Sequence, residues 1–174
     1  MGPGIYTGGV DARPLLADIG SRLQQVRLDA VLIGNAAAAL QGAPVTTIDL
    51  DFLFRKTARN LTKLKTLARD LGAVVLRPYY PASDLYRVVR EQDGLQLDFM
   101  ATIHGIRSFE GVRDRASVIE IDGVPILVAS LADVIRSKKA ARRPRDLAVL
   151  ETLEKALEET TRPKGQARGR RAGK

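Results

Sequence analysis

Two aspartates lie two positions apart in an otherwise apolar segment of the sequence. Asp49 and Asp51 occur in VTTIDLDFLF, where the neighbouring residues are typical of a buried β-strand. Ionised carboxylates against an apolar surface are costly unless a positive group balances them. Side chains two positions apart in a strand point to the same face. The spacing therefore predicts that both carboxylates could bind one divalent cation or bridge two.

A third acid occurs in a second apolar segment, LQLDFM, where Asp98 lies among Leu, Phe and Met residues. Carboxylates from two strands suit a hard cation such as Mg²⁺ or Mn²⁺. The chain has no cysteine and only one histidine, His104, which excludes thiolate and multi-histidine metal sites. We interpret His104 as a structural or surface residue.

A structural role for the first two acids is the alternative. Asp49 could cap or end the strand, and Asp51 could pair with Arg55 or Lys56, which follow it closely. The third acid, Asp98, and a glycine turn upstream favour the functional interpretation.

That turn is Gly34-Asn35, which joins the apolar strand predicted at 30–33 to an alanine-rich helix predicted at 36–41. A glycine allows the backbone to approach a ligand closely, and a helix amino terminus presents free N–H groups. The turn and the aspartates could thus bind both ends of a metal–triphosphate complex, with amides on the phosphates and carboxylates on the metal.

The hydrophobic periodicity predicts a mixed α/β (α+β) fold, with a sheet flanked by helices and a short carboxy-terminal helical lobe. Asp93-Gly94 and Asp122-Gly123 predict hairpin turns. We expect an α/β core at 1–128, a helical lobe at 129–160 and a disordered basic tail at 161–174. The remaining predicted helices are 12–27, 57–71, 130–141 and 144–159, and the remaining predicted strands are 46–54, 73–77, 85–90, 95–101, 118–121 and 124–128.

The net charge of +8 is concentrated in the tail. Six basic residues and no acid follow Thr161, which leaves about +2 for the body. The tail could be a solvated end or an RNA-contacting arm, and the run KKAARRPR at 138–145 could bind an RNA backbone or form a solvated helical face. Tyr79 and Tyr80 could stack on a base or only shape a turn. No secretory signal or membrane-spanning segment is evident, so we expect a cytoplasmic protein without a membrane partner.

The segment LIGNAAAALQGAPVTTIDLDFLF resembles the signature of the nucleotidyltransferase superfamily, which has the polymerase-beta-like fold, and more narrowly its AbiEii-type toxin branch. A second match lies in VPILVASLADVIRSKKAARRPRDLAVLETL, and the resemblance covers about residues 28–155. Two residues depart from the pattern: Asn35 replaces a Gly or Ser, and Val45 stands where an arginine is common. The matching positions are Gly34, Ala36, Gly42, Thr47, Asp49, Asp51, Lys138, Arg143, Arg145 and Asp146.

The resemblance implies a magnesium-dependent enzyme that moves a nucleoside monophosphate from a nucleoside triphosphate (NTP) to an acceptor hydroxyl. Asp49 and Asp51 would hold the metal, and Asp98 would complete a second metal site and help to deprotonate the acceptor. Lys138 would neutralise the triphosphate, and Asp146 would accept from Lys138 or orient a substrate group. The structural alternative for Asp146 is stabilisation of the helix dipole at the start of the last helix. The implied nucleotide-binding residues are Gly34, Asn35, Thr47 and Lys138.

The implied acceptors include a tRNA 3′ end, with the protein acting as the toxin of a toxin–antitoxin pair and an antitoxin as partner. A protein hydroxyl or a small molecule such as an aminoglycoside is the second option. The alternative of another class is a catalytically degenerate protein of this fold that binds nucleic acid or a protein partner.

Overall fold

The computed structural model describes residues 6–7, 10–47, 49–78 and 84–162. Tyr79, Tyr80 and the tail beyond Arg162, for which roles in RNA binding were considered, lie outside these residues. In chain order the described elements are β1 (Tyr6–Thr7), β2 (Val10–Asp11), α1 (Arg13–Gln25), β3 (Ala30–Ile33), α2 (Gly34–Leu40), β4 (Leu50–Phe54), α3 (Ala58–Asp70), β5 (Val74–Leu76), β6 (Leu85–Arg90), β7 (Leu95–Met100), α4 (Phe109–Arg115), β8 (Ser117–Ile121), β9 (Val124–Val128), α5 (Leu131–Ala141) and α6 (Pro144–Thr161).

Seven strands form one mixed sheet in the order β5-β6-β7-β4-β3-β9-β8. Strand β4 pairs antiparallel with β3 and parallel with β7. The two predicted hairpins, β6–β7 and β8–β9, are antiparallel and in the sheet. The mixed α/β architecture predicted from the sequence is therefore confirmed. The short β1–β2 pair was not predicted.

The core lies on both sides of the central strand β4. Phe52, Leu53 and Phe54 are each at most 1% exposed although neighbours in a strand point to opposite faces, so both faces of β4 are covered. Phe52 stacks on Phe99 of β7 with ring centroids 5.1 Å apart. This packing fixes the relative position of the two strands that carry Asp51 and Asp98.

Strand β4 begins at Leu50, whereas the sequence predicted a strand from residue 46. The last residue of β3, Ile33, pairs with Asp51, and the chain then turns into α2 at Gly34. The residues before Leu50 thus have no β3 partner, and Asp49 lies in a bend outside the strand. The prediction that Asp49 and Asp51 share the face of one strand is wrong for this local reason.

The last two helices begin where the sequence places their caps. The Ser130 side chain accepts a hydrogen bond from the amide of Asp133 at the start of α5. Pro144 opens α6, which packs against α5, and α5 also contacts α2. Arg142 has a φ of 52°, and this left-handed residue turns the chain between the two helices. None of the helices in the described ranges is long and apolar enough to cross a membrane.

Candidate active site

One row of paired residues crosses four strands and contains two of the predicted acids. Ile33 of β3 pairs with Asp51 of β4, Asp51 pairs with Asp98 of β7, and Asp98 pairs with Arg87 of β6. Paired residues project to the same face of a sheet, so the two carboxylates are neighbours on one face. Asp98 is only 7% exposed.

The Asp51 carboxyl lies in a strongly negative environment. Its pKa is raised to about 6, first by burial and then by the charges of Asp98 and Asp49, whereas Arg145 and Lys138 act in the opposite direction. Four charged side chains thus act on the Asp51 carboxyl of β4, and they come from β7, α5, α6 and the bend before β4. A divalent cation at Asp51 would relieve this repulsion.

The alternative in which Asp51 pairs with Arg55 or Lys56 is wrong. Arg55 pairs with Glu110 at 2.7 Å, and Lys56 pairs with Asp84 at 2.6 Å. Arg55 and Lys56 therefore do not pair with the carboxylate of Asp51.

Thr47 positions the backbone at Asp49. The Thr47 side chain is buried, and its Oγ1 donates a hydrogen bond of 2.7 Å to the carbonyl oxygen of Asp49. The bend that carries the Asp49 carboxylate is therefore held by a side chain two residues before it. The predicted contact of Thr47 with a nucleotide stays a prediction.

Gly34 lies directly against Asp51. Its φ is +69°, a conformation that favours glycine, and a Cβ atom at this position would lie 3.0 Å from Oδ2 of Asp51. Asn35 follows, and its Nδ2 donates to the carbonyl oxygen of Thr46 at 3.0 Å. The Asn35 Oδ1 atom is buried and has no hydrogen-bond partner within the described part of the chain.

Lys138 and Asp146 form a buried pair between α5 and α6. Lys138 Nζ lies 3.2 Å from Asp146 Oδ1, and Arg143 Nε donates to Asp146 Oδ2 at 2.6 Å. Their side chains are 12% and 2% exposed for Lys138 and Asp146, respectively. Burial opposes ionisation of Asp146, but hydrogen bonds from Arg143 and Lys138 outweigh it and lower its pKa. Of the roles considered for Asp146, the contact with Lys138 is thus present.

The Asp98 carboxylate is bound by an arginine that the sequence analysis did not single out. Arg87 Nε donates to Oδ1 at 2.8 Å and Arg87 Nη2 donates to Oδ2 at 2.7 Å, which is a bidentate contact. The sequence contains enough information to predict this pair. A four-residue turn over 91–94 places Arg90 opposite Leu95, and three residues further along each strand Arg87 lies opposite Asp98. Arg145 was also missed as a charge that acts on Asp51.

Binding of a divalent cation at Asp49 and Asp51 stays a prediction. Both residues offer hard oxygen ligands, and the raised pKa of Asp51 reflects negative charge that a cation would balance. Across residues 10–47, 49–78 and 84–162, no group of three acidic or histidine side chains is arranged to hold a metal ion. The contact with Arg87 engages both oxygens of Asp98, whose predicted role as a metal ligand stays a prediction. His104 is exposed in a turn, as expected.

Several solved structures share the fold. Lincomycin-bound LnuA, a lincosamide antibiotic adenylyltransferase, matches with a TM-score of 0.60 and 14% identity over 88% of this chain and 99% of that chain. The antibiotic-resistance factor ANT(2'')-Ia matches with 0.59 and 16%, over 85% and 83%. A putative nucleotidyltransferase from Thermotoga maritima matches with 0.54 and 21%, over 84% and 92%. Likeness at these identities shows the fold alone.

No curated protein sequence matches the chain significantly. Residues 13–166, most of the chain, match the family described as nucleotidyl transferase of unknown function, DUF2204. The placement in the AbiEii-type branch stays a prediction. Because this match covers more than half of the chain, the chain belongs to this nucleotidyl transferase family.

Proposed function

We propose that the protein transfers a nucleoside monophosphate from an NTP to an acceptor hydroxyl and releases pyrophosphate, with Mg²⁺ or Mn²⁺ held by Asp49 and Asp51. The observation that carries this proposal is the electrostatic environment of Asp51, whose pKa is raised to about 6 by burial and by the charges of Asp98 and Asp49. A carboxylate in such surroundings favours a bound divalent cation over the bare anion.

The reaction breaks the bond between the α-phosphorus and the oxygen that bridges to the β-phosphorus, and forms a bond from the acceptor oxygen to the α-phosphorus. A divalent cation bound here would stabilise negative charge on the α-phosphate and on the leaving pyrophosphate. Asp98 accepts the hydroxyl proton in this proposal. Its two oxygens receive hydrogen bonds from Arg87, but each oxygen keeps another lone pair for the acceptor hydroxyl.

Two cations from the last helices would bind the triphosphate. Lys138 has three N–H donors and gives one to Asp146, so two remain for phosphate oxygens. Arg145 is exposed and acts electrostatically on Asp51 from the first turn of α6. Positioning and charge stabilisation of this kind supply most of what phosphoryl-type transfer requires.

The acceptor we favour is the hydroxyl of a small molecule. The support is the similarity of most of this chain to a lincosamide antibiotic adenylyltransferase and to the antibiotic-resistance factor ANT(2'')-Ia. A tRNA 3′ end, with the protein as a toxin opposed by an antitoxin, is the other acceptor in our proposal. It is favoured by the exposed basic residues Lys139, in the last turn of α5, and Arg142 and Arg143, which lie between α5 and α6.

The test is label transfer from NTPs labelled at the α-phosphate, in the presence of Mg²⁺, to total RNA, to a panel of aminoglycosides and lincosamides, and to the protein itself. We expect transfer by the wild type and loss of at least about 100-fold in Asp49→Asn and Asp51→Asn. Asp93→Asn, an exposed aspartate in the β6–β7 hairpin, is the control and should retain full activity. Transfer that survives both site substitutions would refute the metal assignment.

The degenerate, non-catalytic alternative makes a different prediction. Its support is Val45, which removes a common arginine, and the engagement of Asp98 by Arg87. It predicts no transfer to any acceptor, together with metal-independent RNA binding. Deletion of residues 162–174 should then abolish most of the affinity and flatten its dependence on salt concentration, because six basic residues are removed.

A further inference from the structure

We infer that Arg87 takes the place of a second metal ion: it holds Asp98 in a fixed, charge-balanced position, so the site binds one divalent cation at Asp49 and Asp51 instead of two. This inference rests on the proposed function. It differs from the prediction that Asp98 completes a second metal site, and it makes Arg87 a positioning residue that acts through Asp98.

The contact between Arg87 and Asp98 is built into the sheet. The two residues are direct partners in the antiparallel β6–β7 pair, and the guanidinium binds both carboxylate oxygens at 2.7 and 2.8 Å. Their side chains are 28% and 9% exposed. Bidentate pairs of an arginine and a carboxylate are among the stronger hydrogen-bonded contacts in proteins, and this one is shielded from solvent. A metal ion at Asp98 would have to displace it.

The charges of the site also favour one cation. Asp49, Asp51 and Asp98 carry three negative charges, and Arg87 balances one of them. The two that remain equal the charge of a single divalent cation. Lys138 and Arg145 add positive charge near Asp51, and Asp146 offsets that of Lys138, so the negative charge of the site does not require a second divalent cation.

The same strand offers a matched control. Arg90, three residues after Arg87 on β6, makes the same bidentate contact, at 2.9 and 2.7 Å, with Asp93 in the hairpin turn. Asp93 is exposed and lies outside the row that contains Asp51 and Asp98. An Arg90→Met substitution therefore removes a bidentate pair of the same geometry, together with a hydrogen bond to the Leu71 carbonyl oxygen, without touching the site.

The test counts Mn²⁺ ions by electron paramagnetic resonance on the full chain with one equivalent of a non-hydrolysable ATP analogue. We expect one bound Mn²⁺ per chain for the wild type and for Arg90→Met. Arg87→Met should bind two, because it frees the Asp98 oxygens, and Arg87→Lys, which keeps a cation, should return the count to one. Two ions on the wild type, or one on folded Arg87→Met, would overturn the inference.

A second variant tests whether Asp98 binds a metal ion even if Arg87→Met does not fold. Asp98→Asn should keep one Mn²⁺ with an affinity within about twofold of the wild type, because Asp98 does not bind the metal in this account. A loss of tenfold or more would overturn it. A failure of the proposed function would give a different result. If Asp51 does not hold the metal, Asp51→Asn would bind as many Mn²⁺ ions as the wild type, all of them through the nucleotide analogue.

Discussion

The backbone of Gly34 lies so close to the carboxylate of Asp51 that a side chain at position 34 would push this carboxylate away by a few tenths of an ångström. A Cβ atom on Gly34 would be 3.0 Å from Asp51 Oδ2, and the φ of +69° at Gly34 itself disfavours other residues. The turn that ends β3 therefore sets the position of the central carboxylate of the site.

A Gly34→Ala substitution should displace the Asp51 carboxylate and reduce nucleotidyl transfer by about 100-fold, because small misplacements of reacting groups have large effects on rate. The left-handed backbone should also lower the free energy of unfolding by about 1 kcal/mol. Gly42→Ala is the control, since Gly42 has a φ of +89° and a Cβ atom there would meet nothing within 4 Å. It should show the stability loss without the loss of rate, measured by urea unfolding and by kcat/KM. Equal losses of rate in both variants would contradict the account.

Asp51→Asn should stabilise the metal-free protein near pH 8. Because the folded pKa of Asp51 is raised from 3.8 to about 6, its stabilising contribution is complete below pH 4 and is lost as the pH rises through about 6. The amide escapes this loss, which amounts to about 2–3 kcal/mol above pH 7. Urea unfolding from pH 3.5 to 8 in the presence of a chelator measures the difference between the variant and the wild type.

Mg²⁺ should make the wild type more stable than Asp51→Asn near pH 8. A cation that binds the folded Asp51 carboxylate raises the melting temperature of the wild type in proportion to its binding, and it should raise that of Asp51→Asn far less. Asp93→Asn, which changes an exposed aspartate, should respond as the wild type does. An equal response of the wild type and Asp51→Asn to Mg²⁺ would place the cation elsewhere.

Asp146→Asn should destabilise the protein by about 3 kcal/mol, because it leaves the largely buried Lys138 ammonium without its charged partner. The lowered pKa of Asp146 means that its contribution is present above pH 4 and is lost as the pH falls. The difference between the variant and the wild type should therefore shrink in acid, as measured by urea unfolding. Glu151→Gln removes the exposed Lys155 pair on the same helix and should change little. A stability difference that stayed constant down to pH 2 would contradict this role of Asp146.

Much of the fold could be predicted because local patterns agree with the tertiary structure. The predicted and observed bounds of β3, β6 and β9 coincide, and Thr57, Ser130 and Pro144 begin helices as expected. The start of β4 could not be predicted from its own residues, because it depends on where β4 stops pairing with its two neighbours, β3 and β7. The pattern VTTIDLDF continues to look like a strand after its partner has turned away at Gly34.

Some features of the site could also be predicted from the sequence, and others could not. The pairing of Asp98 with Arg87 follows from the length of the hairpin turn and could have been predicted by counting residues along both strands. The influence of Arg145 on Asp51 could not, because it depends on how α6 packs against α5 beside the sheet. Asn35 and Val45, the two residues that depart from the family pattern, leave Gly34 in contact with Asp51.

The central claim is nucleotidyl transfer at Asp51, and the most direct test compares ATP labelled at the α-phosphate with ATP labelled at the γ-phosphate. With wild-type protein, Mg²⁺ and the acceptor panel, we predict that the α-label appears on an acceptor and the γ-label appears only in pyrophosphate. Asp51→Asn should abolish both signals. Transfer of the γ-label to an acceptor, or no release of labelled pyrophosphate with any NTP and acceptor tested, would contradict the account.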